Sequence, residues 1–128
     1  MFKSGTTNLM VESVDKTVEF YEKMLGFQTV ASVPKENGAI QFAIVIRDNL
    51  TLMFQDRENL ILEYPVLKTD KVRPSVTIYI KVDNLKELYI ELKSKAKILC
   101  DIHETFYGAN EFAIEDINGY VLTFAEDK

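Results

Sequence analysis

The stretch that decides the fold runs from Thr6 to Phe27: Thr6-Thr7-Asn8-Leu9-Met10-Val11, a strand-like run, followed after Glu12 and Ser13 by Val14-Asp15-Lys16-Thr17-Val18-Glu19-Phe20-Tyr21-Glu22-Lys23-Met24-Leu25 and Gly26-Phe27. In the second part Val14, Val18, Tyr21 and Leu25 recur at intervals of four, three and four, which predicts an amphipathic helix. Ser13 stands where an N-cap belongs. Seventy-one residues on, the pattern returns, with Thr77 to Val82 leading into a helix that has Leu85, Leu88, Tyr89 and Leu92 on one face. At that offset Thr6 falls on Thr77, Val11 on Val82 and Val18 on Tyr89. Asn84 and Glu87 have the spacing of a capping box for the second helix.

Working outward, each helix is followed by three strand-like runs. In the first half they are Phe27 to Val33, Ala39 to Arg47 and Leu50 to Gln55, divided by the turn signals Asn37-Gly38 and Asp48-Asn49. In the second they are Lys97 to Ile102, Glu111 to Glu115 and Tyr120 to Ala125, divided at Tyr107-Gly108 and Asn118-Gly119. Each half reads strand, helix, strand, strand, strand, so the fold class is α+β, built from two tandem βαβββ modules. Module 1 is expected over about residues 5–56 and module 2 over about 75–126, within a single domain 1–128. The connector 57–74 carries Pro65 and Pro74, and its Leu60, Ile61, Leu62 and Tyr64 suggest a short packed helix.

Alternation divides each strand between two faces. Leu9, Val11, Phe42, Ile44, Ile46, Leu50, Leu52, Phe54, Ile78, Ile80, Val82, Leu122 and Phe124 form a large apolar set expected to pack on the helices. The complementary set is small, polar or mixed: Thr6, Asn8, Met10, Gln41, Ala43, Val45, Thr51, Met53, Gln55, Thr77, Tyr79, Lys81, Val121, Thr123 and Ala125. That set suits either the solvated side of an antiparallel sheet or the lining of a hollow.

Composition narrows the chemistry. The chain has 128 residues, enough to bury about two-thirds of its extended surface. Fifteen Lys plus Arg against 20 Asp plus Glu give a net charge of -5, which opposes phosphate neutralisation, so neither nucleic acid nor an anionic membrane is an expected partner. The beginning of the sequence has no apolar signal-like core, no run is long enough for a bilayer span, and one cysteine cannot form an internal disulfide. A cytoplasmic protein is expected. With one His and one Cys, there is little from which to build a catalytic transition-metal site.

The pattern has a relative. Leu9-Met10-Val11, Val18-Glu19-Phe20-Tyr21 and Leu25-Gly26-Phe27, with Tyr107-Gly108-Ala109-Asn110-Glu111-Phe112-Ala113 and the hairpin Glu115 to Phe124, resemble the vicinal oxygen chelate superfamily of glyoxalases, bleomycin-resistance proteins and extradiol dioxygenases. The resemblance covers about Thr6 to Glu126. It implies a curved, largely antiparallel eight-stranded sheet around a cup, with helices on the convex face. In the family's enzymes the cup holds a divalent metal on four side chains, one from the first and one from the last strand of each module. Those positions fall here on Thr6, Met53, Thr77 and Thr123, none of which is a competent ligand for such an ion. Gln55 and Glu126 are the nearest replacements.

The resemblance therefore implies a metal-free protein, with no cofactor and no catalytic residue, that binds a small organic molecule, cationic or aromatic. The residues expected around the ligand are Thr6, Asn8, Gln41, Met53, Thr77, Tyr79, Tyr107 and Thr123, with Phe112 a further aromatic wall. A homodimer is expected from the same family. Two other readings stand beside this one: a metal-dependent lyase or isomerase with relocated ligands, and an interaction module without a ligand. Cys100 is expected to be a packed thiol, His103 a rim or surface residue, and Lys81, Glu111 and Glu115 solvated strand ends.

Overall fold

A computed structural model describes all residues, 1–128. The chain divides into two compact units, Met1–Arg73 and Pro74–Lys128. The first contains β1 (Thr7–Val11), α1 (Val14–Leu25), β2 (Gln28–Pro34), β3 (Ile40–Arg47), β4 (Leu50–Asp56) and α2 (Arg57–Glu63), followed by a short 3-10 turn, Pro65–Leu67. The second contains β5 (Thr77–Lys81), α3 (Leu85–Leu92), β6 (Lys97–Glu104), β7 (Ala109–Glu115) and β8 (Val121–Asp127). The architecture is α+β with two βαβββ modules. The eight strands form two four-stranded mixed sheets, ordered β1-β4-β3-β2 and β5-β8-β7-β6. In each the first and last strands pair in parallel and the remaining pairs are antiparallel. No helix is long and apolar enough to cross a membrane.

Helix α1 forms where its apolar spacing requires. Ser13 Oγ accepts the Lys16 amide at 3.1 Å, capping the start. Gly26 ends the helix at φ +70°, a conformation that favours glycine, and Arg47 Nη1 donates to the Leu25 carbonyl at 2.6 Å. Val14, Val18, Tyr21 and Leu25 are buried, and Tyr21 lies on Phe54 of β4 with ring centroids 4.8 Å apart. In the second module Tyr89 of α3 meets Phe112 of β7 edge-on at 5.2 Å, so Phe112 belongs to the core and is no ligand wall. Helix α3 is shorter than α1, 8 residues against 12, and leaves Ile78 and Ile80 only partly covered.

Three local expectations are corrected. The faces of β3 are reversed. Val45 pairs with Leu52 and Ala43 with Phe54, and both Val45 and Ala43 are 0% exposed, so they turn to the helix while Phe42, Ile44 and Ile46 turn away from it. The two-residue turn Asp48-Asn49 sets Arg47 opposite Leu50 and thereby fixes this register. The expected capping box of α3 does not form; Asn84 makes no side-chain cap, and Glu126 Oε1 accepts the Leu85 amide at 3.2 Å instead. The connector does hold a helix, but only Leu60 is buried, while Leu62 and Tyr64 are exposed.

Candidate functional site

The face of each sheet turned away from its helix carries the chemistry. In module 2, Tyr79 lies in register with Thr123, and Thr123 with Ala113; one step along, Lys81, Ala125 and Glu111 form the next row. Thr123 and Ala125 are short, so the Tyr79 hydroxyl reaches across β8 and donates to Glu111 Oε2 at 2.6 Å. From the turn after β6, the Tyr107 hydroxyl donates to the same oxygen. Glu111 is therefore no solvated strand end: it is 6% exposed, at the centre of a three-residue cluster. Burial opposes its ionisation, but the hydrogen bonds from Tyr107 and Tyr79 and the proximity of His103 outweigh burial and hold its pKa below the ordinary value. Both phenols shift the other way, upward, because each donates to a carboxylate and is partly desolvated. They are donors, not bases.

On the edge strand β6 the register slips between Cys100, opposite Ala113, and His103, opposite Glu111. The extra residue brings both side chains to the same face, with Cys100 Sγ 3.7 Å from His103 Nδ1. Cys100 is exposed rather than packed, because β6 borders no further strand on that side. His103 Nδ1 also stands 2.8 Å from the Asp101 carbonyl oxygen. A carbonyl only accepts, so Nδ1 carries the proton in that contact, and the thiol faces a ring N–H rather than a base.

Module 1 builds its far face from amides. Asn8 Nδ2 donates to Gln55 Oε1 at 2.8 Å, and Gln55 Nε2 donates to Asn59 Oδ1 at 2.7 Å and to Glu63 Oε1 at 3.0 Å. Asn59 Nδ2 in turn donates to Gln41 Oε1 at 3.4 Å. These groups floor an open hollow of about 620 Å³ walled by Val33, Phe42, Leu62 and Tyr64. Helix α2 starts directly after β4, which is what delivers Asn59 and Glu63 to Gln55. Asn8 and Tyr79 occupy the same place in the repeat, and each ties the first strand of its module to a polar partner.

Of the residues expected around a ligand, Asn8 and Gln41 belong to the amide chain, and Tyr79 and Tyr107 meet at Glu111. Met53 and Thr123 lie half-buried on their own sheets, in register with Asn8 and Tyr79 respectively. Thr77 is exposed at the start of β5, and Thr6 is exposed one residue before β1. The four positions to which the resemblance assigns a metal thus present three hydroxyls and a thioether, all uncharged, and do not fit a divalent ion. The two nearby replacements are engaged elsewhere, Gln55 in the amide chain and Glu126 at the α3 amide. No group of three or more His, Cys, Asp or Glu side chains has the spacing of a metal site. Sequence reasoning missed Glu111, Asn59 and Glu63. The signal for Glu111 was its position two residues before Ala113, on the strand that pairs with β8 opposite Tyr79.

A family model described as Glyoxalase/Bleomycin resistance protein/Dioxygenase superfamily matches residues 3–124. No curated protein is significantly similar in sequence. Solved structures share the fold. A glyoxalase/bleomycin resistance protein/dioxygenase from Nocardioides superposes with a TM-score of 0.82 at 14% identity, over 99% of this chain and 85% of that one. TioX from Micromonospora sp. ML1 gives 0.75 at 15% identity over 98% and 100%. A family enzyme from Burkholderia phytofirmans PsJN gives 0.77 at 16% identity over 96% and 97%.

Proposed function

Because the chain belongs to the Glyoxalase/Bleomycin resistance protein/Dioxygenase superfamily, we propose that it uses this fold to bind a small organic molecule without a metal. The observation that carries this reading is the donor set at Thr6, Met53, Thr77 and Thr123, which offers no charge to a cation. Meanwhile the neighbouring side chains on the same faces are organised into polar and aromatic clusters. A hollow with an amide floor and apolar walls suits burial of an organic group with a few orienting hydrogen bonds. The resistance-protein side of the family fits this better than its metalloenzymes. We read both modules as one domain, acting in the cytoplasm as a homodimer that sequesters a drug or metabolite.

Three measurements test the reading. A thermal-shift panel of cationic and aromatic antibiotics and metabolites should give at least one saturable stabilisation, following the mass-action dependence on ligand concentration. Elemental analysis of protein purified without chelators should find no stoichiometric divalent ion; finding one would overturn the reading in favour of a relocated metal centre. Light scattering at micromolar concentration should return the mass of a dimer.

A further inference from the structure

We infer that the Tyr79–Glu111–Tyr107 cluster is the anchor for an organic ammonium group, whose N–H donates to Glu111 Oε1 while its charge lies against the Tyr79 and Tyr107 rings. This rests on the binding reading above and names its ligand class. Both phenols converge on Oε2, so Oε1 accepts no hydrogen bond from the protein, and it is not sealed from solvent. The carboxylate thus keeps a charge and one free acceptor in a largely enclosed position, where a charge-assisted hydrogen bond is stronger than at an open surface.

The rings supply the second half. Tyr79 is 48% exposed and Tyr107 56%, and Phe106, fully exposed, stands edge-on to Tyr107 at 5.0 Å. Three large aromatics left open to water around one carboxylate are explained by no packing within the chain. Because each phenol directs its O–H at Glu111, what remains for a ligand is the ring itself, whose negative face attracts cations. Donation to an anion enriches those rings in electrons. The neighbouring lysines do not cancel the site: Lys81 pairs with Asp127 at 3.2 Å and Lys97 with Glu115 at 3.1 Å, and the residue directly opposite Glu111 in the β6–β7 ladder is His103. An anionic ligand would meet Glu111 and a chain of net charge -5, while a neutral one gains the rings and at most an uncharged hydrogen bond to the carboxylate.

The experiment is a titration of the full ¹⁵N-labelled chain at neutral pH with protonated benzylamine and, in parallel, with benzyl alcohol, which has the same ring and nearly the same size. Benzylammonium should saturably shift the amides of Tyr79, Tyr107 and Glu111, and bind about tenfold or more tightly than the alcohol. Glu111→Gln should remove that preference, so that the two probes bind with similar affinity. Should that variant fold poorly, salt gives the same information in the native chain, since added salt should weaken benzylammonium binding and not the alcohol. Equal affinities for the two probes, an unchanged preference in Glu111→Gln, or shifts confined to other residues would each overturn the inference. If the panel compounds bind at the Asn8–Gln55 hollow but show no ammonium preference at Glu111, this inference fails and the binding reading stands. If nothing binds anywhere, both fail.

Discussion

The Tyr79 hydroxyl and the Glu111 carboxylate, on strands β5 and β7, are joined at 2.6 Å over the intervening strand β8. The bond is possible because β8 presents only Thr123 and Ala125 beneath it, and Ala125 is completely buried. A larger residue at 125 would stand in the path of the phenol. The polar cluster on this face therefore depends on small side chains as much as on the polar ones.

Acid should loosen this cluster. A carboxylate whose folded pKa lies below its ordinary value of 4.5 binds fewer protons in the folded chain than in the unfolded one. Its contribution is complete above 4.5 and is lost as pH falls through the depressed folded value. Glu12, held down first by Arg57 and then by the Val72 amide, and Asp101, held down first by Tyr89, act in the same direction. The urea midpoint should therefore fall as pH drops from 4.5 through the depressed folded values. Glu111→Gln should have a lower midpoint at neutral pH and a shallower acid limb; an acid limb as steep as that of the parent would show that Glu111 is not held ionised.

The amide chain of module 1 makes a separate prediction. Gln55→Leu keeps the volume but removes three hydrogen bonds, to Asn8, Asn59 and Glu63. Asn8 is exposed and Glu63 reaches water, so part of the loss is recovered by hydration. The expected cost is about 1–2 kcal/mol in urea unfolding. Ligands of the panel that depend on this hollow should weaken together with it, whereas benzylammonium should bind as before. A stability change near zero would mean that the chain of amides contributes no order to the floor.

Much of this architecture was legible in the sequence, and the reasons differ by element. Helix α1 announces itself because Val14, Val18, Tyr21 and Leu25 leave one polar side and Ser13 caps the start. The repeat then yields the second module from the first. Strand β3 was misread because it is apolar on both sides: with Phe42, Ile44 and Ile46 on one and Ala43 and Val45 on the other, size suggested the wrong inward face. The turn at Asp48-Asn49 held the answer, since a two-residue connection leaves one register. Glu111 was misread because a charged residue in a strand is usually solvated, and its partners Tyr79 and Tyr107 are distant in sequence. Cys100 looked packed because its neighbours are apolar, but β6 is an edge strand.

The corrected faces of β3 can be tested with one substitution on each. Val45→Asp places an unpaired carboxylate in a site with 0% exposure between the sheet and α1, a cost well beyond the typical margin contributed by any single side chain. It should abolish soluble expression or cooperative melting. Ile46→Asp, on the far face and only partly covered, should fold with a lowered but cooperative melting transition. Circular dichroism distinguishes the two, and the opposite ranking would put Phe42, Ile44 and Ile46 back on the inward face.

The last prediction concerns the only thiol. Cys100 is exposed on an edge strand, so a thiol-selective reagent should label the native chain at one equivalent, with no need for unfolding. The nearby imidazole invites the reading of a nucleophile with its base, at an Sγ to Nδ1 distance of 3.7 Å. The hydrogen bond of Nδ1 to the Asp101 carbonyl, at 2.8 Å, argues otherwise, because it commits the proton to the nitrogen nearest the sulfur. His103→Gln should accordingly leave the labelling rate at neutral pH within about threefold of the parent. A fall of a hundredfold would mean that the other tautomer prevails and that Cys100 and His103 act as a pair.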